Sequence, residues 1–301
     1  MTDPTARIAG LSPKKRALLL ARLKERRAQP GGGEDAIPVQ PRPSGPGGLQ
    51  FPVSFSQLRE WILDRLDPGS AAYNIPLALE LNERIDLPVL AGAVAELVAR
   101  HETLRTGIRM PTAGEGPVEA NEPVQVVWPR LRPPLPVVDL TGVPRSSGLR
   151  AARHLETLHA ALPFRLDQAP LFRVALIRLG ARDDRLLLSM HHIISDGWSM
   201  SVLARDLGEL YRARAAGEEP RLPALPVQYG DFAAWQRRTV RGEVLERLVA
   251  FWRDELAGAP PAVELPTDRP RSATADRPAA SLDLTRRSRN QKGGLVGRGG
   301  S

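Results

Sequence analysis

Two apolar runs, LFRVALIRL (171–179) and RLLLSMHH (185–192), stand on either side of a short polar turn at Gly180–Asp184. Runs of this length bounded by turn residues read as two buried strands rather than helices. They fix the centre of the fold, because buried strands need layers on both faces. The flanking sequence supplies them. LPVLAGAVAELVARHETL and WSMSVLARDLGELYRARAAG carry apolar residues at helical spacing, and residues 147–162 read as a further helix. FPVSFSQLREWILDRL reads as a short extended piece followed by a helix, and YNIPLALEL alternates as a strand. VEANEPVQVVWPRLRPPLPVVDL reads as extended pieces broken by prolines. Strands and helices thus alternate through one α/β body without an internal repeat. With 301 residues, 42% of them hydrophobic, the chain can bury a sizeable core.

The ends read differently from this body. In residues 1–28, LSPKKRALLLARLKERR forms an amphipathic helix capped by Ser12 with Pro13 at its first position. Residues 29–50 are rich in Gly and Pro and read as a flexible linker, which favours docking to a partner over packing on the body. Residues 268–301 have little to bury and read as disordered. The net charge of +8 is concentrated at these ends, with eight Lys/Arg against two Asp/Glu in 1–28 and eight against three in 268–301. The body is slightly acidic, and no aromatic residues interleave the basic ends, so no nucleic-acid partner is expected. There is no cysteine, which excludes disulfides and thiolate chemistry and fits a reducing compartment. No apolar run has the length of a membrane span and no apolar signal core follows the first charges; the expected location is cytoplasmic, with no membrane partner.

SMHHIISDGWS (189–199) holds two of the chain's five histidines. Successive side chains of a strand point to opposite faces, so only one of His191 and His192 can enter a given cavity. Asp196 follows in the loop that leaves the strand, and Gly197 permits a tight turn with positive φ. Three readings compete. Metal ligation by His192 and Asp196 lacks a third ligand in the sequence, so no metal is expected. The histidines can be structural. A neutral imidazole at a strand end can also serve acid–base chemistry.

SMHHIISDGWS matches the His-His-x-x-x-Asp-Gly signature of nonribosomal peptide synthetase condensation domains, of the chloramphenicol acetyltransferase-like superfamily. Three further stretches resemble that family in its order. They are SFSQLREWIL (54–63), with Ser54, Gln57, Arg59 and Trp61; ARHETLRTGI (99–108); and VQYGDFAAWQ (227–236). PGSAAYNIPLALEL (68–81) is similar too, and the resemblance spans 51–267. It implies a chloramphenicol acetyltransferase-like lobe of α/β (α+β sandwich) class: a first lobe over 51–220, and a connecting region with the start of a second lobe over 221–267. It implies peptide-bond formation between carrier-protein-bound thioesters, with no directly bound cofactor. The substrates would arrive on the phosphopantetheine arms of peptidyl or acyl carrier proteins, and the N-terminal helix would meet an upstream synthetase subunit. His192 would orient the attacking amine or take its proton. His191 would support the fold, and Gly197 would let the backbone pass close to the reacting centre. Asp196 would be structural, with Arg100 and Arg105 as its ion-pair partners. Gln57, Arg59, Tyr229, Asp231 and Trp235 read as scaffold.

The resemblance also implies a second lobe, whose later motifs have no counterpart in 268–301. The sequence therefore reads as a truncated or frame-changed condensation domain, inactive alone. The alternatives are a split enzyme completed by another chain and a non-enzymatic docking fragment.

Overall fold

The computed structural model describes residues 36–42, 48–112 and 122–260. The expected N-terminal helix and basic tail lie outside these residues. Among the described residues, seven strands form two sheets. β1 (Leu49–Pro52), β4 (Val124–Val127) and β3 (Thr106–Arg109) make a three-stranded antiparallel sheet in the order β1-β4-β3. β2 (Asn74–Leu81), β7 (Asp183–His191), β6 (Phe172–Gly180) and β5 (Val137–Asp139) make a four-stranded one, in which only β5 and β6 run parallel.

The larger sheet is built on the two apolar runs. β6 and β7 are a hairpin, with Phe172 opposite Met190 and Leu176 opposite Leu186. Alternation sends Val174, Leu176, Leu186, Leu188 and Met190 into one core, and Ala175, Ile177, Leu179 and Leu187 into another. Burial on both faces explains why these strands are apolar at nearly every position.

The first core is closed by α2 (Leu87–Arg100) and α4 (Gly197–Ala216), the second by α3 (Arg145–Ala161). The α2 sequence buries Leu90, Ala93, Val94, Leu97 and Val98, a helical spacing that lays one stripe on the sheet. Asp86 starts it by accepting the Val89 amide hydrogen at 3.0 Å. Leu97 is 1% exposed, so Leu97→Ala removes about 2–5 kcal/mol. α4 ends at Gly217, whose φ of 67° suits glycine and returns two amide bonds to the last turn.

α1 (Phe55–Leu66), α5 (Tyr229–Thr239) and α6 (Gly242–Glu255) complete the described elements. Short 3-10 turns at Glu102–Arg105 and His192–Ile194 link α2 to β3 and β7 to α4. β3 was not expected from the sequence; its four residues are too few to show a period. The mixed α/β class with two sheets matches the expected class. No described helix is long and apolar enough to cross a membrane.

The expected linker over 29–50 needs correction at its C-terminal part. Leu49 and Gln50 lie in β1. Arg42 pairs with Glu102 at 2.9 Å and with Asp231 at 2.8 Å, and the Gln40 amide donates to Asp231 at 2.7 Å. Asp231 is fully buried, and this segment supplies the cation that such a carboxylate requires.

Candidate active site

The cavity of interest sits where β7 gives way to α4. β7 ends at His191, and its neighbour is carried by the 3-10 turn. His191 is 2% exposed, its Nδ1 accepting the Ile193 amide hydrogen at 3.0 Å and its ring edge-on to Phe164. Burial, and then the neighbouring His192, push its pKa down to about 4, so this imidazole is neutral. The His192 side chain is 45% exposed. Its amide donates to the Tyr73 carbonyl at 2.8 Å, which anchors the turn to the strand beside it. The opposed environments agree with strand alternation, but the turn, not the strand, delivers His192.

α1 holds that turn from the side. Ser54 caps α1, accepting the Gln57 amide hydrogen while the Gln57 side chain accepts that of Ser54. This fixes Gln57, 2% exposed, so that its Nε2 donates to the Ile193 carbonyl at 3.2 Å and to Gln125 at 3.1 Å. The Ser54 hydroxyl lies 2.9 Å from that of Tyr229, tying α1 to α5. One turn beyond Gln57, Glu60 faces the same way and sets a carboxylate oxygen 3.2 Å from His192 Nδ1.

The resulting cavity holds about 330 Å³. Arg59, Glu60, His101, His192, Asp196, Trp198 and Tyr229 are among its lining residues. Glu60 is 4% exposed, and burial raises its pKa against the pull of His192 and Arg59. Arg59 is exposed at the rim. Trp198, 81% exposed, stands in the mouth. Among the described residues no cluster of three or more His, Cys, Asp or Glu side chains could hold a metal ion.

The expected pairing of Asp196 with Arg100 or Arg105 is not there. Asp196 is exposed and caps α4, accepting from the Ser199 amide at 2.8 Å and the Ser199 hydroxyl at 2.6 Å. Those two bonds hold its pKa below the ordinary carboxylate range. A carboxylate at a helix start with its donors already supplied gains little from a distant cation. Arg100 instead meets the buried Asp206 at 3.0 Å, which His101 also reaches at 3.0 Å. Arg105 donates to the Trp128 carbonyl and lies 3.6 Å from Glu102. Gly197 does not adopt positive φ; it opens α4, and a Cβ there would point into open space. Its bareness leaves room rather than making a turn.

The remaining motif residues divide between cavity and frame. Ser54, Gln57, Arg59 and Tyr229 surround the His192 turn. Trp61 packs on the first core. Asp231 lies in the Arg42 ion-pair group, and Trp235 stacks near Phe232 on α5. Sequence reasoning missed Glu60, His101 and Trp198. Glu60 was findable, since it stands three residues after Gln57 on a helix.

Residues 50–291 match the family model of the condensation domain. The chain belongs to the condensation-domain family. The match runs past residue 267, into the segment read from sequence as a tail. The chain is 42% identical over 275 residues to phosphinothricin tripeptide synthetase PhsC of Streptomyces viridochromogenes, covering 91% of this chain and 24% of that one. It is 37% identical over 253 residues to cyclosporin synthetase simA of Tolypocladium inflatum, covering 83% and 2%. Among solved structures, the X-domain in complex with OxyB from teicoplanin biosynthesis is 30% identical with a TM-score of 0.64, covering 80% of this chain and 50% of that one. The first condensation domain of the calcium-dependent antibiotic synthetase, solved with a substrate analogue, is 25% identical with a TM-score of 0.59, covering 70% and 48%. The chain thus spans about half the length of these two solved chains, and a smaller share of the synthetases.

Proposed function

We propose that this condensation-family chain supplies the histidine-bearing side of a site that joins two carrier-bound thioesters through a peptide bond. The observation that carries the reading is His192, half-exposed in the cavity of a fold whose neighbouring histidine is buried. The acceptor's amine nitrogen attacks the carbonyl carbon of the donor thioester, and the C–N bond forms as the C–S bond breaks. His192 takes the amine proton, and the departing pantetheine sulfur takes a proton back, so no net proton is consumed. Carrier proteins would present both groups on phosphopantetheine arms, leaving the chain itself without a bound cofactor. The site's remaining walls would come from the part of the domain that this chain does not span. The N-terminal segment would dock an upstream synthetase subunit.

The test is mass-spectrometric detection of a dipeptidyl thioester on the acceptor carrier. The chain is supplied with loaded carriers, alone and together with the remaining half of a homologous condensation domain. Dipeptide formed only when His192 is intact supports the reading; no dipeptide under either condition contradicts it. Dipeptide from the chain alone would overturn the expectation of inactivity and keep the family reading.

A further inference from the structure

We propose that Glu60 is a positioning residue for His192, holding the imidazole with its proton on Nδ1 so that Nε2 is the free lone pair directed to substrate. The inference rests on the condensation reading for its catalytic consequence, but its structural content stands apart from it.

Three observations carry it. The nearer Glu60 oxygen lies 3.2 Å from His192 Nδ1, within hydrogen-bond reach of a ring N–H. Its other oxygen, Oε2, is buried with no hydrogen-bond partner among the described residues, and His192 is the ion-pair partner of the carboxylate there. A carboxylate 4% exposed and half unsatisfied is costly to keep, and a purely structural position there would favour an apolar side chain. Third, the carboxylate in the loop that follows His192 is already engaged, since Asp196 is spent on capping α4.

The chemistry follows from proton placement. With Glu60 ionised and accepting from Nδ1–H, Nε2 has no proton and can accept one from the attacking amine. Once it does, the ring is an imidazolium beside a carboxylate, and the new positive charge is neutralised where it forms. The proton then passes to the leaving sulfur and the pair returns to its starting state. The other groups facing the ring do not duplicate this. Arg59 is a cation at the rim, Tyr229 is bonded to Ser54, His101 is turned to Asp206, and His191 is buried and neutral.

The experiment is 15N-detected two-bond correlation spectroscopy of the full 301-residue chain at about pH 8, above the range in which free histidine titrates. The wild-type His192 signals are compared with those of Glu60→Leu and Glu60→Gln. The expected result is a protonated Nδ1 and a bare Nε2 in the wild type. Glu60→Leu moves the proton to Nε2. Glu60→Gln keeps an acceptor for Nδ1–H and so retains the tautomer while losing the charge. In the dipeptide assay, both variants lower kcat by at least about tenfold with little change in KM. A wild-type His192 protonated on Nε2 overturns the proposal whether or not the variants fold. Unchanged kcat in a folded Glu60→Leu overturns it too. A protonated Nδ1 with no turnover in any variant supports the Glu60 contact and counts against the condensation reading alone.

Discussion

Two groups of buried carboxylates, one in the frame and one in the cavity, are treated in opposite ways. In the frame around α2 and α5, every buried carboxylate has cations. Asp231 has Arg42 and two backbone amides, Glu102 has Arg42 and Arg105, and Asp206 has Arg100 and Arg205, with the His101 ring as a further hydrogen-bond partner. Burial would raise the pKa of Asp231 and Asp206, but these bonds outweigh it and hold both below the ordinary range. In the cavity, Glu60 keeps a buried oxygen without a partner among the described residues, its pKa is raised, and its histidine is half open to solvent. The three frame carboxylates have their cations inside the protein, whereas Glu60 has a half-open histidine beside it. Other buried polar atoms, such as Asp184 Oδ1, also lack partners among the described residues; Glu60 differs in that it lines the cavity beside His192.

The contrast can be broken by mutating one group at a time. The largest effect on stability should come from Arg42→Ala, which strips the shared cation from two buried carboxylates and should lower the unfolding free energy by about 3–5 kcal/mol in urea titration. A change under about 1 kcal/mol would mean that residues 36–42 only brush the body, as a linker would. Acid should act next, through His191. Its folded pKa of about 4 lies below the ordinary histidine value, so the unfolded chain binds the proton more readily. The stabilisation is whole above about pH 6.5 and is lost as pH falls toward 4, at most about 3 kcal/mol. His191→Asn keeps an acceptor for the Ile193 amide without titrating, and should flatten that part of the profile. Asp196→Ala should cost about 1 kcal/mol, the loss of one helix cap, and Asp196→Ser should recover most of it. A loss as large as that of Arg42→Ala would restore the buried ion pair expected from sequence.

The sheet core was legible because its signal is dense. LFRVALIRL and RLLLSMHH leave no alternative to buried strands, and the α2 stripe at 90, 93, 94, 97 and 98 is unambiguous. The two histidines were separable by alternation alone, although a turn intervenes. What failed was pairing at a distance. Asp196, Arg100 and Arg105 suggested an ion pair by type, yet Asp196 found its donors three residues away, which cap chemistry at Asp-Gly-Trp-Ser could have signalled. Asp231 and Arg42 are 189 positions apart, and nothing local in a Gly/Pro-rich stretch announces a buried partner. Helix α6 shows the same limit. Its sequence is more amphipathic than that of α4, yet Leu245, Leu248, Val249 and Trp252 stay exposed while α4 buries Leu203, Leu207 and Leu210. Periodicity gives a face, not what covers it.

In the proposed function the two adjacent histidines divide the work, one keeping the fold and one facing substrate. The most direct measurement is the pair of values for His192→Ala: unfolding free energy, and rate of dipeptidyl thioester formation in the reconstituted assay. The expected stability is within about 1 kcal/mol of wild type and the expected rate is lower by about 10²–10⁴. Wild-type turnover by a folded His192→Ala chain would contradict this division.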